Sequence, residues 1–217
     1  MQPLHITAII PGPIALAQGR LAFDALLAAT IAVRDNIPPA MSVEELVPIE
    51  VPIQREPAGR FHLASFAIGQ PVQHELRYVN RRFPIEQAQM FAESSVRVLR
   101  INAGPSKSYR IPLETMHLLH GRLDWWCVGD AVAIGVLLES ITHLGKKRNV
   151  GLGKVGTWSV RPCEPWGDGF PVVRDSRALR TLPPDWPGLV EYDIRQARLT
   201  YPYWLRDGLE SCAVPVI

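Results

Sequence analysis

An α+β domain of strand–helix order βαββαβ is predicted by three observations. Residues 3–10 (PLHITAII) alternate apolar and polar, and an Ala/Leu-rich helical run, Leu21–Arg34, follows them. The same order recurs later, where the strand Arg122–Val128 (RLDWWCV) enters a helix at Asp130 and a strand at Val155–Val160 follows. Between the two units, Phe61–Ile68 (FHLASFAI) supplies one more strand-like run.

Taken in order, Leu4, Ile6, Ala8 and Ile10 share one side of the first strand, and Pro11-Gly12-Pro13 ends it. The helix Leu21–Arg34 is nearly all apolar and therefore buried. Asp24 interrupts it, and its expected role is a first-turn acid favoured by the helix dipole rather than a catalytic group. Residues 36–60 carry Pro38, Pro39, Pro48, Pro52 and Pro57, which suit looping or edge-strand chain. Phe61–Ile68 is the second strand, with Pro71–Val79 returning as its hairpin partner. Proline at a helix start predicts a short helix over Pro84–Glu93. Val96–Ile101 alternates as a strand, Asn102–Ser108 is a turn by composition, and Tyr109–Leu113 leads away as a short extended piece. An inserted, partly β segment thus spans approximately 71–115.

Trp125 and Trp126 are adjacent in their strand and point to opposite sides, one into the core and one onto the open face or under a loop. Asp130 is the predicted N-cap of the next helix. Ile134, Leu137, Leu138, Ile141 and Leu144 form its apolar face, and Gly145 is its left-handed C′ residue. From about 162 to 217 the chain is rich in Pro and Trp. The expectation is a single domain, 1–217, with an irregular wrapped tail pinned by aromatic burial rather than by a second core. Four antiparallel strands with both helices on one face make this order ferredoxin-like (RRM-like).

Apolar residues make up 47% of the chain and charged ones 20%, the balance of an ordinary globular protein. No apolar run reaches the roughly 18 residues of a membrane span. The N-terminus lacks the basic region and cleavage site of a signal peptide. Cys127, Cys163 and Cys212 are widely spaced and odd in number, so reduced thiols and a cytoplasmic location are expected, without a zinc site.

A net charge of +2 does not announce nucleic-acid binding, but its distribution is informative. Residues 35–56 hold Asp35, Glu44, Glu45, Glu50 and Glu56 against Arg55 alone. Residues 94–113 hold Arg97, Arg100, Lys107 and Arg110 without an acid, shortly after Arg77, Arg81 and Arg82. The loop after the second long helix holds Lys146, Lys147, Arg148 and Lys154, again without an acid up to Arg161. Cations gathered this way suit one electropositive face. Gly151 and Gly153 would let the loop backbone approach phosphates closely.

Gly151–Gly156 spells G-x-G-x-x-G, yet a dinucleotide site needs a strand before it and a helix after it, and here the order is inverted. Nor is it a P-loop, since Val155 follows Lys154 where Ser or Thr is required. Glu114, His117 and His120 lack a further ligand nearby, so no metal site is assigned. His143 stands two residues before the glycine loop and reads as a last-turn residue complementing the helix C-terminus.

The run Gly145-Lys146-Lys147-Arg148-x-x-Gly151-x-Gly153-Lys154-Val155, between a helix and a strand, resembles the glycine-rich loop of the RAMP superfamily of CRISPR proteins. Further pieces match in order: Leu21–Ala28, Arg81-Arg82-Phe83, Lys107–Leu113 and Tyr201-Pro202-Tyr203-Trp204. With them the chain resembles the small Cas-five-like subunit of type IV CRISPR effector complexes. The resemblance implies a non-catalytic RNA-binding subunit that holds the five-prime handle of the crRNA. Its partners would be the crRNA, a repeating backbone subunit and a large subunit, with target double-stranded DNA beside the protospacer as a second expectation. On this reading Lys146, Lys147, Arg148, Asn149, Gly151, Gly153 and Lys154 bind RNA. Tyr109 would stack a splayed base while Lys107 and Arg110 hold phosphates. Arg77, Arg81 and Arg82 would face DNA. No cofactor, metal or membrane is implied. The rival reading is a metal-independent, crRNA-processing endoribonuclease of the same superfamily, with His143 in acid–base catalysis.

Overall fold

The structure is a computed structural model that describes residues 1–16, 20–81 and 109–216. It is α+β. β1 (Gln2–Ile9) lies between β4 (Arg122–Gly129) and β5 (Thr157–Pro162), antiparallel to both. Alternation sends Leu4, Ile6 and Ala8 of β1 inward with Leu123, Trp125 and Cys127 of β4. Two helices, α1 (Phe23–Arg34) and α2 (Ala131–Glu139), pack into the same core through Phe23, Leu27, Ile31, Ile134, Leu137 and Leu138. Burying each such side chain contributes about 1.5–3 kcal/mol. Trp125 also donates its indole N–H to Leu21 O at 3.0 Å, so the largest core side chain leaves no polar atom unpaired.

Among the described residues the regular sheet has three strands where four were expected. Beside the free edge of β4, residues 53–68 make only isolated bridges, Ile53 to Gly129, Ala64 to Cys127 and Ile68 to Asp124. The cause is local. Phe66 donates its N–H to Leu179 O and Ala67 donates to Leu21 O, while Trp126 N–H goes to the Ser65 hydroxyl instead of a backbone carbonyl. Pro52 and Pro57 supply no N–H at all.

Pro71–Val79 does not return onto Phe61–Ile68. It belongs to β2 (Pro71–Arg81), which pairs with β3 (Tyr109–Leu118), a full strand where a short extended piece was expected. The expected helix over 84–93 and strand over 96–101 lie outside the described residues. The β2–β3 ribbon is tied down at its base, where Ile14 and Met116 exchange backbone hydrogen bonds of 2.9 and 2.8 Å.

α2 begins as read, with Asp130 Oδ1 accepting the N–H groups of Val132 and Ala133, but it stops at Glu139. Ile141 and Leu144 remain buried at helical spacing, yet residues 142–144 are taken by pairing with 153–155. The tail is more ordered than its composition suggests. β6 (Val173–Arg174) pairs with β7 (Arg177–Ala178), and β8 (Asp193–Ala197) with β9 (Glu210–Val214). It also has a small core of its own, in which Val172, Leu182, Leu199 and Cys212 pack with Phe61 and Trp186. No helix among the described residues is long and apolar enough to cross a membrane.

Candidate nucleic-acid interface

The basic loop hangs from the segment that ends β1. Its neck is closed by Leu144 N–H to Gly153 O (2.8 Å) and Val155 N–H to Thr142 O (2.9 Å). Lys146 N–H then donates to Ala15 O at 2.7 Å and Gly153 N–H to Pro13 O at 2.9 Å. A short 3-10 turn, Arg148–Val150, forms the tip, and buried Leu152 plugs the loop into the body. Gly145 does adopt a left-handed φ of 79°, but six residues beyond Glu139, the last residue of α2, rather than at its C′ position. A Cβ there would meet Ala15 O at 2.3 Å, and one on Gly153 would meet Leu144 O at 2.0 Å. Both glycines are thus demanded by close backbone packing. Gly151, at φ 85°, has open space around it.

The amides of Gly151 and Gly153 are already hydrogen-bonded within the protein. The amide of Gly153 is spent on Pro13 and that of Gly151 on Arg148 O. What the loop offers outward is side chains. Lys146, Arg148, Asn149 and Lys154 are exposed and Lys147 is half-buried. None of the four cations forms an ion pair among the described residues. A fixed knuckle bearing unneutralised cations is matched to phosphates by charge more than by a backbone cradle.

His143 lies beyond α2, so it does not cap that helix. It bridges to Lys154, and its Nδ1 sits 3.0 Å from Thr142 Oγ1. No carboxylate or second histidine is hydrogen-bonded to its ring among the described residues. His117 stands in β3, and His120 occupies a left-handed position (φ 54°) in the turn that follows. Among the described residues no group of three His, Cys, Asp or Glu is placed to hold a metal ion.

The ribbon residues lie apart from the loop. Seven residues separate Tyr109 from Met116, about 24 Å at the rise of a strand. Adjacent Tyr109 and Arg110 point to opposite faces. Tyr109 is opposite Arg81 in register, whereas Arg110 lies with its guanidinium 3.9 Å from the Tyr78 ring centroid. Arg77 is exposed and bonded to Glu75 at 2.9 Å. Lys107 and Arg82 fall outside the described residues.

Two clusters escaped the sequence reading. Trp126 is the tryptophan on the side of the sheet away from the helices, stacked on His5 at 5.0 Å and 6° and covered by Trp166 of the tail. His5 Nε2 lies 2.7 Å from Asp124 Oδ1, and Thr7 and Arg122 donate to the same carboxylate. Burial would raise the Asp124 carboxyl, but these donors outweigh it and hold the group below its usual range. With its outer nitrogen committed and its ring stacked, His5 orders the sheet face.

The second cluster surrounds Asp24, which is the first-turn acid of α1 as expected and is also fully buried. Tyr203 donates to it, Arg180 Nη2 and His62 Nδ1 each stand 3.7 Å away, and Arg180 is itself completely buried. No signal in the sequence near residue 24 points to partners in the tail.

Residues 74–215 match the family model described as CRISPR type IV associated protein Csf3. Among curated proteins none matches the chain. The matched span takes in the ribbon, β4, α2, the basic loop and the tail, the elements that carry most of the candidate site. The chain belongs to this type IV CRISPR associated family, a Cas-five-like group within the RAMP superfamily.

Proposed function

We propose that the chain is a non-catalytic RNA-binding subunit of a type IV CRISPR effector ribonucleoprotein acting in the cytoplasm. It holds the five-prime handle of the crRNA beside backbone and large subunits. The observation that carries this reading is the knuckle at 145–154, whose cations are free of carboxylate partners among the described residues. The proposed fold is the ferredoxin-like one. In its favour, β5, β1, β4 and the bridged segment 53–68 lie side by side in that order, with both helices packed into one core. Contact between the Arg77–Arg82 stretch and target DNA is the secondary proposal.

The test is the affinity for crRNA handle RNA as a function of salt, for wild type and for Lys146→Ala/Lys147→Ala/Arg148→Ala. Removing up to three phosphate contacts on a single strand should flatten the log–log slope by about 2 and weaken binding. Superimposable curves would remove the reading.

A further inference from the structure

Asp35, Glu44, Glu45 and Glu50 stand in a stretch without a cation, and the proposed RNA contacts leave that stretch unused. Together with α1 and the tail it borders a cavity of about 190 Å³. Ala32 and Val33 of α1 form one wall, Ile37 and Val47 another, and Tyr201 and Trp204 of the tail a third. No lining side chain is charged. The cavity opens outward, since Val33 is 80% exposed, Val47 49% and Trp204 54%; Met41 and Val43 of the same stretch are exposed too. Trp204 is held in place by its indole N–H on Ala40 O at 3.3 Å and by edge-on contact with Tyr201 at 5.0 Å. A fixed, half-exposed tryptophan at the mouth of an apolar cavity is the kind of group on which interfaces concentrate their binding energy.

The rim selects the occupant. Glu44, Glu45 and Glu50 are exposed and form no ion pair among the described residues. Asp35 is paired with Arg34, and Arg206 is the one exposed cation of the tail stretch 201–206. Surplus carboxylate repels phosphate, so neither a nucleic-acid strand nor an anionic lipid surface suits this rim. We infer that the groove docks a protein partner through one bulky apolar side chain flanked by lysines or arginines. A cavity of about 150 Å³ takes a benzene ring, so the slightly larger one here holds a single aromatic or branched side chain. Pairing of the flanking cations with the rim sets orientation and on-rate. The knuckle of a second copy is also cationic, but the function proposed above gives it to RNA; that the partner is a different protein rests on that reading.

Fluorescence anisotropy on the full chain tests the groove, with a labelled peptide that carries one phenylalanine between two pairs of lysines. It should bind at least tenfold more tightly than the same peptide with glutamines for lysines, and than the one with serine for phenylalanine. Glu44→Gln/Glu45→Gln/Glu50→Gln, all at exposed positions, should weaken the lysine peptide at least fivefold and leave affinity for handle RNA within twofold of wild type. No binding by wild type, equal binding of any two of the peptides, or an unchanged affinity in the triple variant would each overturn the inference. A fall in RNA affinity in that variant would overturn it by giving the groove to RNA. Light scattering of the chain alone covers the remaining occupant: self-association at low salt that the triple variant abolishes would give the groove to a second copy. The salt experiment on the basic loop reports separately. Superimposable salt curves with selective lysine-peptide binding and a monomeric chain would sink the loop and keep the groove, and the converse would keep only the loop.

Discussion

Tyr203 donates its hydroxyl hydrogen to Asp24 Oδ2 at 2.8 Å across 179 residues of chain, locking the tail to the first turn of α1. Arg180 completes the joint. It donates to the carbonyls of Thr181, His62, Ala64 and Leu199 and to the Tyr203 oxygen, with its guanidinium 4.7 Å from the Phe61 ring centroid. One buried ion pair, saturated with hydrogen bonds, thus joins the α1 core to the small core of the tail.

Breaking that pair should be expensive. Asp24→Asn leaves Arg180 as an uncompensated buried charge and is expected to cost about 3–5 kcal/mol. Tyr203→Phe removes one donor and one acceptor and should cost about 1–3 kcal/mol. Urea denaturation of both variants checks the order. Asp24→Asn lying within about 0.5 kcal/mol of wild type would mean that the joint carries no stability.

The same carboxylate predicts an acid-side slope. Burial would raise the Asp24 carboxyl, but Arg180, His62 and Tyr203 outweigh it and hold it below its ordinary value. A depressed folded value means stabilisation that is complete above the unfolded pKa near 3.9 and lost as pH falls through the folded one. Unfolding free energy should therefore decline below about pH 4, and less steeply in Asp24→Asn. Asp124 and Glu56, both also held low, leave a residual slope in that variant. Parallel profiles for the two proteins would contradict this.

Two glycines of the basic loop should separate by stability. Gly151→Ala meets no atom and should lose only the roughly 1–2 kcal/mol of left-handed strain. Gly153→Ala combines the same strain at φ 66° with a Cβ 2.0 Å from Leu144 O, and must displace the backbone. Its melting temperature should fall well below that of Gly151→Ala. Equal melting temperatures would show that the loop is not pinned to Pro13 and Leu144.

What was legible in the chain tracks the range of the forces involved. β1 and β4 alternate over nearly their whole length, so the split of Trp125 and Trp126 between the two faces was legible, though not which of them faces the core. The N-terminus of α2 was legible because its cap is local, in Asp130. Its end was not. Ile141 and Leu144 fit a helix, and only their pairing partners at 153–155 say otherwise. The partner of Arg110 is Tyr78, a cross-strand neighbour that no local pattern names. The cationic loop stood out by composition. Which of its amides were already spent depended on Pro13 and Ala15, far away in sequence.

The nuclease alternative turns on His143. Metal-independent cleavage needs a base at the ribose 2′-OH and an acid at the leaving oxygen. The ring of His143 has Thr142 as its hydrogen-bond partner and no second titratable group joined to it among the described residues. Incubation of the purified chain with repeat RNA and chelator should leave the RNA intact, for wild type and His143→Ala alike. Cleavage that disappears in His143→Ala would reinstate catalysis.

The ribbon yields the last expectation. Arg77 is bonded to Glu75 in an exposed pair, which is worth little and gives way readily to a phosphate. Arg81 ends β2 at the end of the ribbon away from Ile14 and Met116, and Arg82 follows it in sequence. Contacts there would be to the duplex backbone, positioning the subunit without reading sequence. Arg81→Ala/Arg82→Ala should therefore weaken binding to protospacer-flanking duplex uniformly across sequences. The log–log salt slope should fall by about 2, close to one unit per phosphate on duplex DNA. Affinity for handle RNA should stay as in wild type, because the knuckle is anchored some 24 Å away along the strand. Unchanged duplex binding in the double variant would remove DNA from the ribbon, while a parallel loss of RNA affinity would place both partners on one continuous surface.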